Sequence, residues 1–123
     1  TQWIGTEGYF ITDLSSFFFD TPSTWSIEAL NPVKMWTLNK SDYLEIQEQI
    51  PNWNVLEKRF IAKCFMVIEQ RVFDFIALSA EERYHKYFQA NRQLFNQVPL
   101  QYIASVLGMS PETLSRIRSR ISS

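Results

Sequence analysis

The 123-residue chain is 46% apolar and 15% aromatic with 3 Gly and 5 Pro, which excludes a disordered, collagen-like or low-complexity protein and supports one modest domain or two very small ones. Lys63 breaks the longest apolar run, Phe60 to Ile68, so no window approaches a transmembrane span. The net charge of −1 hides an asymmetry: residues 1–78 carry 6 basic against 10 acidic side chains, and residues 79–123 carry 6 against 3. A basic end on an acidic body points to an anionic partner, although solvated helix faces carry charge too. One cysteine, Cys64, allows neither an internal disulfide nor a multi-cysteine metal site and fits a reducing, cytoplasmic compartment. The opening Thr1-Gln2-Trp3-Ile4 has neither Met nor a signal-peptide pattern and reads as the middle of something longer.

Residues 1–38 read as strands and turns. Thr24 to Leu30 alternates polar and apolar residues, Asn31-Pro32 makes a turn, and Val33 to Leu38 forms a second short run. Asn39 then caps a short helix that ends near Ile50, with Pro51 closing it. Trp53 to Leu78 contains neither Gly nor Pro and predicts one helix of about 40 Å. On a wheel of 3.6 residues per turn, Arg59, Lys63, Gln70 and Asp74 share one narrow stripe and apolar residues cover most of the rest. A helix packed on one side needs only about 100° of apolar stripe, so this one asks for burial on two sides. Either the strands take one face and a second copy of the chain the other, through Phe60, Cys64, Val67, Ile68 and Phe75, or the helix is the central core of a monomer.

Ser79-Ala80-Glu81-Glu82 is a capping box that starts a new helix running to about Gln89. Pro99 opens a further helix, Gly108 supplies a left-handed closing residue, and Ser110-Pro111 restarts a helix over 111–121. Two helices joined by about three residues have helix-turn-helix spacing. Ile103, Ala104, Leu107, Leu114 and Ile117 face inward; Glu112, Ser115, Arg116 and Ser119 form an outward stripe on the second helix. A carboxylate accepts from cytosine N4 and a guanidinium donates twice to guanine, whereas Arg118 and Arg120 suit phosphates. An ordinary helical hairpin with a solvated face is the competing reading.

The stretch Val98 to Arg116, with Glu112-Thr113-Leu114-Ser115-Arg116 at its end, resembles the helix-turn-helix of Crp/Fnr-type transcriptional regulators, in wording close to short members from Bacteroidetes. The resemblance implies that Glu112, Ser115 and Arg116 contact bases of a pseudo-palindromic duplex, with RNA polymerase as a further partner. Pro111 stands where Crp-type members place an additional arginine, which removes one guanine contact. Glu7 to Leu14 and Asp20 to Thr24 resemble the latter half of a cyclic-nucleotide-binding β-roll. By register Asp13 takes the ribose-binding Glu position, Ser23 the phosphate-binding Arg position and Thr24 the Ser/Thr position. Without a guanidinium a buried phosphate loses its bidentate partner, which argues against cyclic AMP and leaves an unidentified small ligand or a roll filled by Phe17, Phe18 and Phe19.

The fold expected is therefore α+β: the latter part of a β-roll over 1–52, a dimerisation helix over 53–78, and a helix-turn-helix domain over 79–123. The resemblance further implies that the first half of the roll lies upstream; the ending departs from the family, because the chain stops just past the reading helix and no C-terminal β-wing is expected. Enzyme chemistry is not expected. His85 is the only histidine, and there is no G-x-S-x-G, Gly-rich phosphate loop or H-E-x-x-H. Cys64 reads as a small hydrophobe, and no cofactor or metal is called for. The function expected is a homodimeric DNA-binding transcription regulator. Its alternatives are a sensory module for a small ligand and an oligomerisation scaffold with a vestigial helix-turn-helix.

Overall fold

The computed structural model describes residues 1–121; the last two residues of the 79–123 segment lie outside them. Seven helices occur among the described residues: α1 (Leu14–Phe19), α2 (Lys40–Gln49), α3 (Trp53–Ala77), α4 (Ala80–Ala90), α5 (Leu94–Gln97), α6 (Leu100–Val106) and α7 (Pro111–Ile121). The local chemistry of the starts is visible. Asn39 N–H donates to Asp42 Oδ2 at 3.3 Å ahead of α2. Ser79 and Glu82 exchange their capping bonds at the start of α4: Ser79 N–H donates to the Glu82 carboxylate at 2.8 Å, and Glu82 N–H donates to Ser79 Oγ at 3.3 Å. At 25 residues α3 spans about 38 Å.

The expected β-roll is absent. No strand occurs among the described residues, so the α+β assignment and the placing of residues 1–52 in a roll are both corrected to an all-helical fold. The segment expected to fill or cover the roll, Phe17 to Phe19, is instead helix α1, started by Asp13: its carboxylate accepts from Ser15 N–H at 3.1 Å and Ser16 N–H at 3.3 Å. The alternating run Thr24 to Leu30 and the short run Val33 to Leu38 stay irregular. Together they amount to one hairpin, which is marginal by itself in water, and Pro22 and Pro32 each remove a backbone donor. Trp25, Ile27, Val33, Met35 and Trp36 are all exposed, so no buried face holds a register there.

The chain divides into two compact units, with the boundary inside α3. The first, Ile11–Gln70, gathers four aromatic rings edge to face. Tyr43 lies 5.1 Å from Phe17, 6.1 Å from Phe18 and 5.8 Å from Trp53, centroid to centroid. Tyr43 is the one buried residue among the described residues of this unit. The second unit joins Thr1–Phe10 to the described chain from Arg71 onward. It holds a contiguous core of Tyr84, Leu94, Phe95, Val98, Ile103, Ala104, Val106, Leu107, Leu114 and Ile117, in which Ile103, Ala104 and Leu114 are fully buried. Phe95 organises its aromatic end, 4.9 Å from Phe88 and 5.8 Å from Tyr84.

No residue of α3 is buried. The strands expected to cover one of its faces do not exist, and large apolar side chains stand in solvent along it, Phe65 at 64% and Ile76 at 82% exposure. No helix among the described residues is long and apolar enough to cross a membrane.

Candidate nucleic-acid interface

Helices α6 and α7 form a tight hairpin whose turn is accounted for bond by bond. Gly108 takes φ +65°, the left-handed conformation that closes a helix without a Cβ penalty. Met109 N–H donates to Ala104 O at 3.0 Å and Gly108 N–H to Ser105 O at 3.1 Å, the paired bonds of a Schellman ending. Two carbonyls remain, and two arginines take them: Arg71 Nη2 donates to Val106 O at 3.0 Å and Arg83 Nε to Leu107 O at 3.2 Å. Ser110 then caps α7, its hydroxyl accepting from Thr113 N–H at 3.2 Å.

On α7, Leu114 and Ile117 are buried against α6. The stripe at i, i+3, i+4, i+7 spacing (Glu112, Ser115, Arg116 and Ser119) is exposed along its whole length. Arg120 is exposed and Arg118 half-buried, both in the last turn, where positive charge also complements the helix dipole. Arg116 Nη2 lies 3.5 Å from Thr113 Oγ1, and Ser119 Oγ donates to Ser115 O at 3.0 Å. The Glu112 carboxylate folds back onto the helix start. Its own backbone amide, and then the Ser110 hydroxyl, hold its pKa below the ordinary glutamate value.

Asp13, Ser23 and Thr24 come together without a β-roll, as a closed set. Asp13 Oδ2 accepts from Thr24 N–H at 3.0 Å, Ser23 Oγ at 3.0 Å and Thr24 Oγ1 at 3.3 Å. The Thr24 amide, then the Ser16 amide, hold the carboxyl below its ordinary range. The donors that would receive a phosphate are spent on the chain's own carboxylate. These three residues are a loop staple around α1.

The residues expected at a dimer seam divide. Phe60, Val67 and Ile68 are exposed and Cys64 is half-buried. Phe75 is also exposed, but its ring edge meets the turn of the hairpin: a Cβ at position 108 would overlap its Cε1, and the Arg71 and Arg83 guanidinium carbons stand 5.7 and 5.0 Å from its ring centroid. Sequence reasoning missed Arg71 and Arg83. The signal was there for Arg71, which falls on the α3 wheel between Phe60 and Cys64, a cation inside an apolar sector, and such a residue needs a buried partner. It finds Val106 O, Gln2 O and the face of Trp3, 5.3 Å away, and burial lowers its pKa.

Among the described residues no cluster of three or more His, Cys, Asp or Glu is arranged to hold a metal ion. No protein-family model, no curated protein and no solved structure matches this chain.

Proposed function

We propose that this chain is a homodimeric, sequence-specific DNA-binding regulator of transcription in which α7 reads bases. The observation that carries the reading is the α6–α7 hairpin, with Leu114 and Ile117 buried and Glu112, Ser115, Arg116 and Ser119 exposed on one face beside a half-buried Arg118 and an exposed Arg120. The resemblance of Val98 to Arg116 to the Crp/Fnr helix-turn-helix supports it, and so does the basic balance of residues 79–123. The dimer is supported by α3, whose exposed Phe60, Val67 and Ile68 repeat at helical spacing and need a cover. Symmetric pairing matches a duplex with half-sites about 34 Å apart. A DNA partner implies the compartment that holds DNA, the cytoplasm of a bacterial cell.

The test is in vitro selection from random DNA followed by binding at several salt concentrations. Enrichment of an inverted repeat is expected, with affinity falling as salt rises. Arg116→Ala should cost about 1–3 kcal/mol on the selected site and little on random DNA. Equal losses on both would remove Arg116 from base reading, and failure to enrich any sequence would remove the function.

A further inference from the structure

Two guanidinium groups fasten the hairpin to the chain before it. Arg83, near the start of α4, donates through Nη1 to Leu78 O at 2.8 Å and through Nε to Leu107 O at 3.2 Å, so one planar group joins the chain leaving α3 to the end of α6. Arg71, within α3, donates to Val106 O at 3.0 Å and to Gln2 O. Both guanidinium carbons lie near the Phe75 ring, which stands so close to Gly108 that a Cβ there would not fit. Arg71, Phe75 and Leu78 follow one stripe at i, i+4 and i+7 spacing, whereas the exposed Val72, Phe73 and Ile76 lie around the other side of α3. We infer that Arg71 and Arg83 are positioning residues for DNA reading. They fix the angle of the hairpin on the end of α3 and thereby the half-site spacing that a dimer paired through α3 accepts.

Two observations separate this role from support of the fold. The hairpin is built by its own residues: Ile103, Ala104, Leu114 and Ile117 are buried, Gly108 ends α6 and Ser110 caps α7. The arginines add donors from α3 and α4 to main-chain carbonyls at the end of α6, so they govern where the hairpin sits. A guanidinium fork on two acceptors holds a direction as well as a distance. The second observation is that the same half of α3 carries Val72, Phe73 and Ile76, so the unit that holds α7 also offers apolar surface to a second copy. Successive base pairs stand about 3.4 Å apart along the duplex, so a hairpin free to swing would accept neighbouring spacings that a clasped one refuses.

This inference rests on the base-reading dimer, and its test separates the two. Binding is measured for the wild-type chain, Arg83→Ala and Arg83→Lys, with Arg71→Lys in parallel. The duplexes are the selected inverted repeat and versions whose identical half-sites stand a base pair closer or farther apart. The wild-type chain should prefer the selected spacing. In the variants the ratio of affinities between the selected and altered spacings should fall about tenfold, the size of one charge-assisted hydrogen bond, while the base preference within each half-site persists. Lysine keeps the charge but lacks the fork, so Arg83→Lys carries the test should Arg83→Ala not fold. An equal loss on every spacing, or an unchanged ratio, reduces the arginines to supports of the fold and overturns the inference while the function stands. A wild-type chain indifferent to spacing overturns it as well. If the wild-type chain enriches no inverted repeat, both fall together.

Discussion

The two units use similar amounts of apolar sequence in opposite ways. The unit from Arg71 onward closes on itself: its aromatic and aliphatic side chains make one core, and the carbonyls at the end of α6 are taken by Arg71 and Arg83. The unit Ile11–Gln70 buries only Tyr43 among its described residues and leaves Phe60, Phe65, Val67 and Ile68 in solvent. Apolar surface in water costs about 25 cal/mol per Å², so the second arrangement describes a surface awaiting a cover, whereas the first has a core of its own beside the exposed Val72, Phe73 and Ile76 of α3. The exposed apolar surface of α3 continues past the boundary between the units, through Val72, Phe73 and Ile76.

Cutting into the finished core gives the largest effect. Leu114→Ala removes a fully buried side chain and should cost about 2–5 kcal/mol of unfolding free energy, measured by chemical denaturation, taking DNA binding with it. A loss below about 1 kcal/mol would mean that the hairpin is not the core it looks to be. Next comes the turn. Gly108→Ala places a Cβ on Phe75 at a left-handed φ and should cost more than about 1 kcal/mol. In a Phe75→Ala background only the backbone part of that cost should remain, so strict additivity of the two substitutions would break the link between α3 and the turn.

The open unit should respond differently. The Asp13 staple depends on a carboxylate whose pKa is depressed in the folded chain. Its contribution is therefore complete above the ordinary aspartate range and is lost as pH falls through the lowered value. The Thr24 amide resonance should move with that titration, and in Asp13→Asn it should be insensitive to acid. The smallest effect on the isolated fold is expected at Ile68→Glu, within about 0.5 kcal/mol, because the position is already exposed. The same change should halve the mass seen by sedimentation equilibrium. An unaltered mass would show that the seam lies elsewhere.

The helical half of the molecule was legible because its signals are local. Ser79 and Glu82 at capping-box spacing, Gly108 after an apolar run and Ser110-Pro111 ahead of Glu112 each act within one turn of chain, and each does in the structure what its position implies. The irregular course of residues 24–38 was not legible. Alternation over Thr24 to Leu30 states only that a strand would have two different faces, and whether a strand forms depends on partners elsewhere in the chain. Asp13-Leu14-Ser15-Ser16 held a helix-start signal of the same local kind.

The sequence by itself determined where the long helix and the hairpin begin and end, which residues of α7 lie on one face, and the asymmetry of charge. These follow from the 3.6-residue period and from capping bonds that span a few residues. Only the tertiary structure decided that Asp13 satisfies Ser23 and Thr24 and that Arg71 and Arg83 close the end of α6. In each case the partners lie ten or more residues apart, and a hydrogen bond or a shared surface at that separation exists only after the chain has brought its ends together.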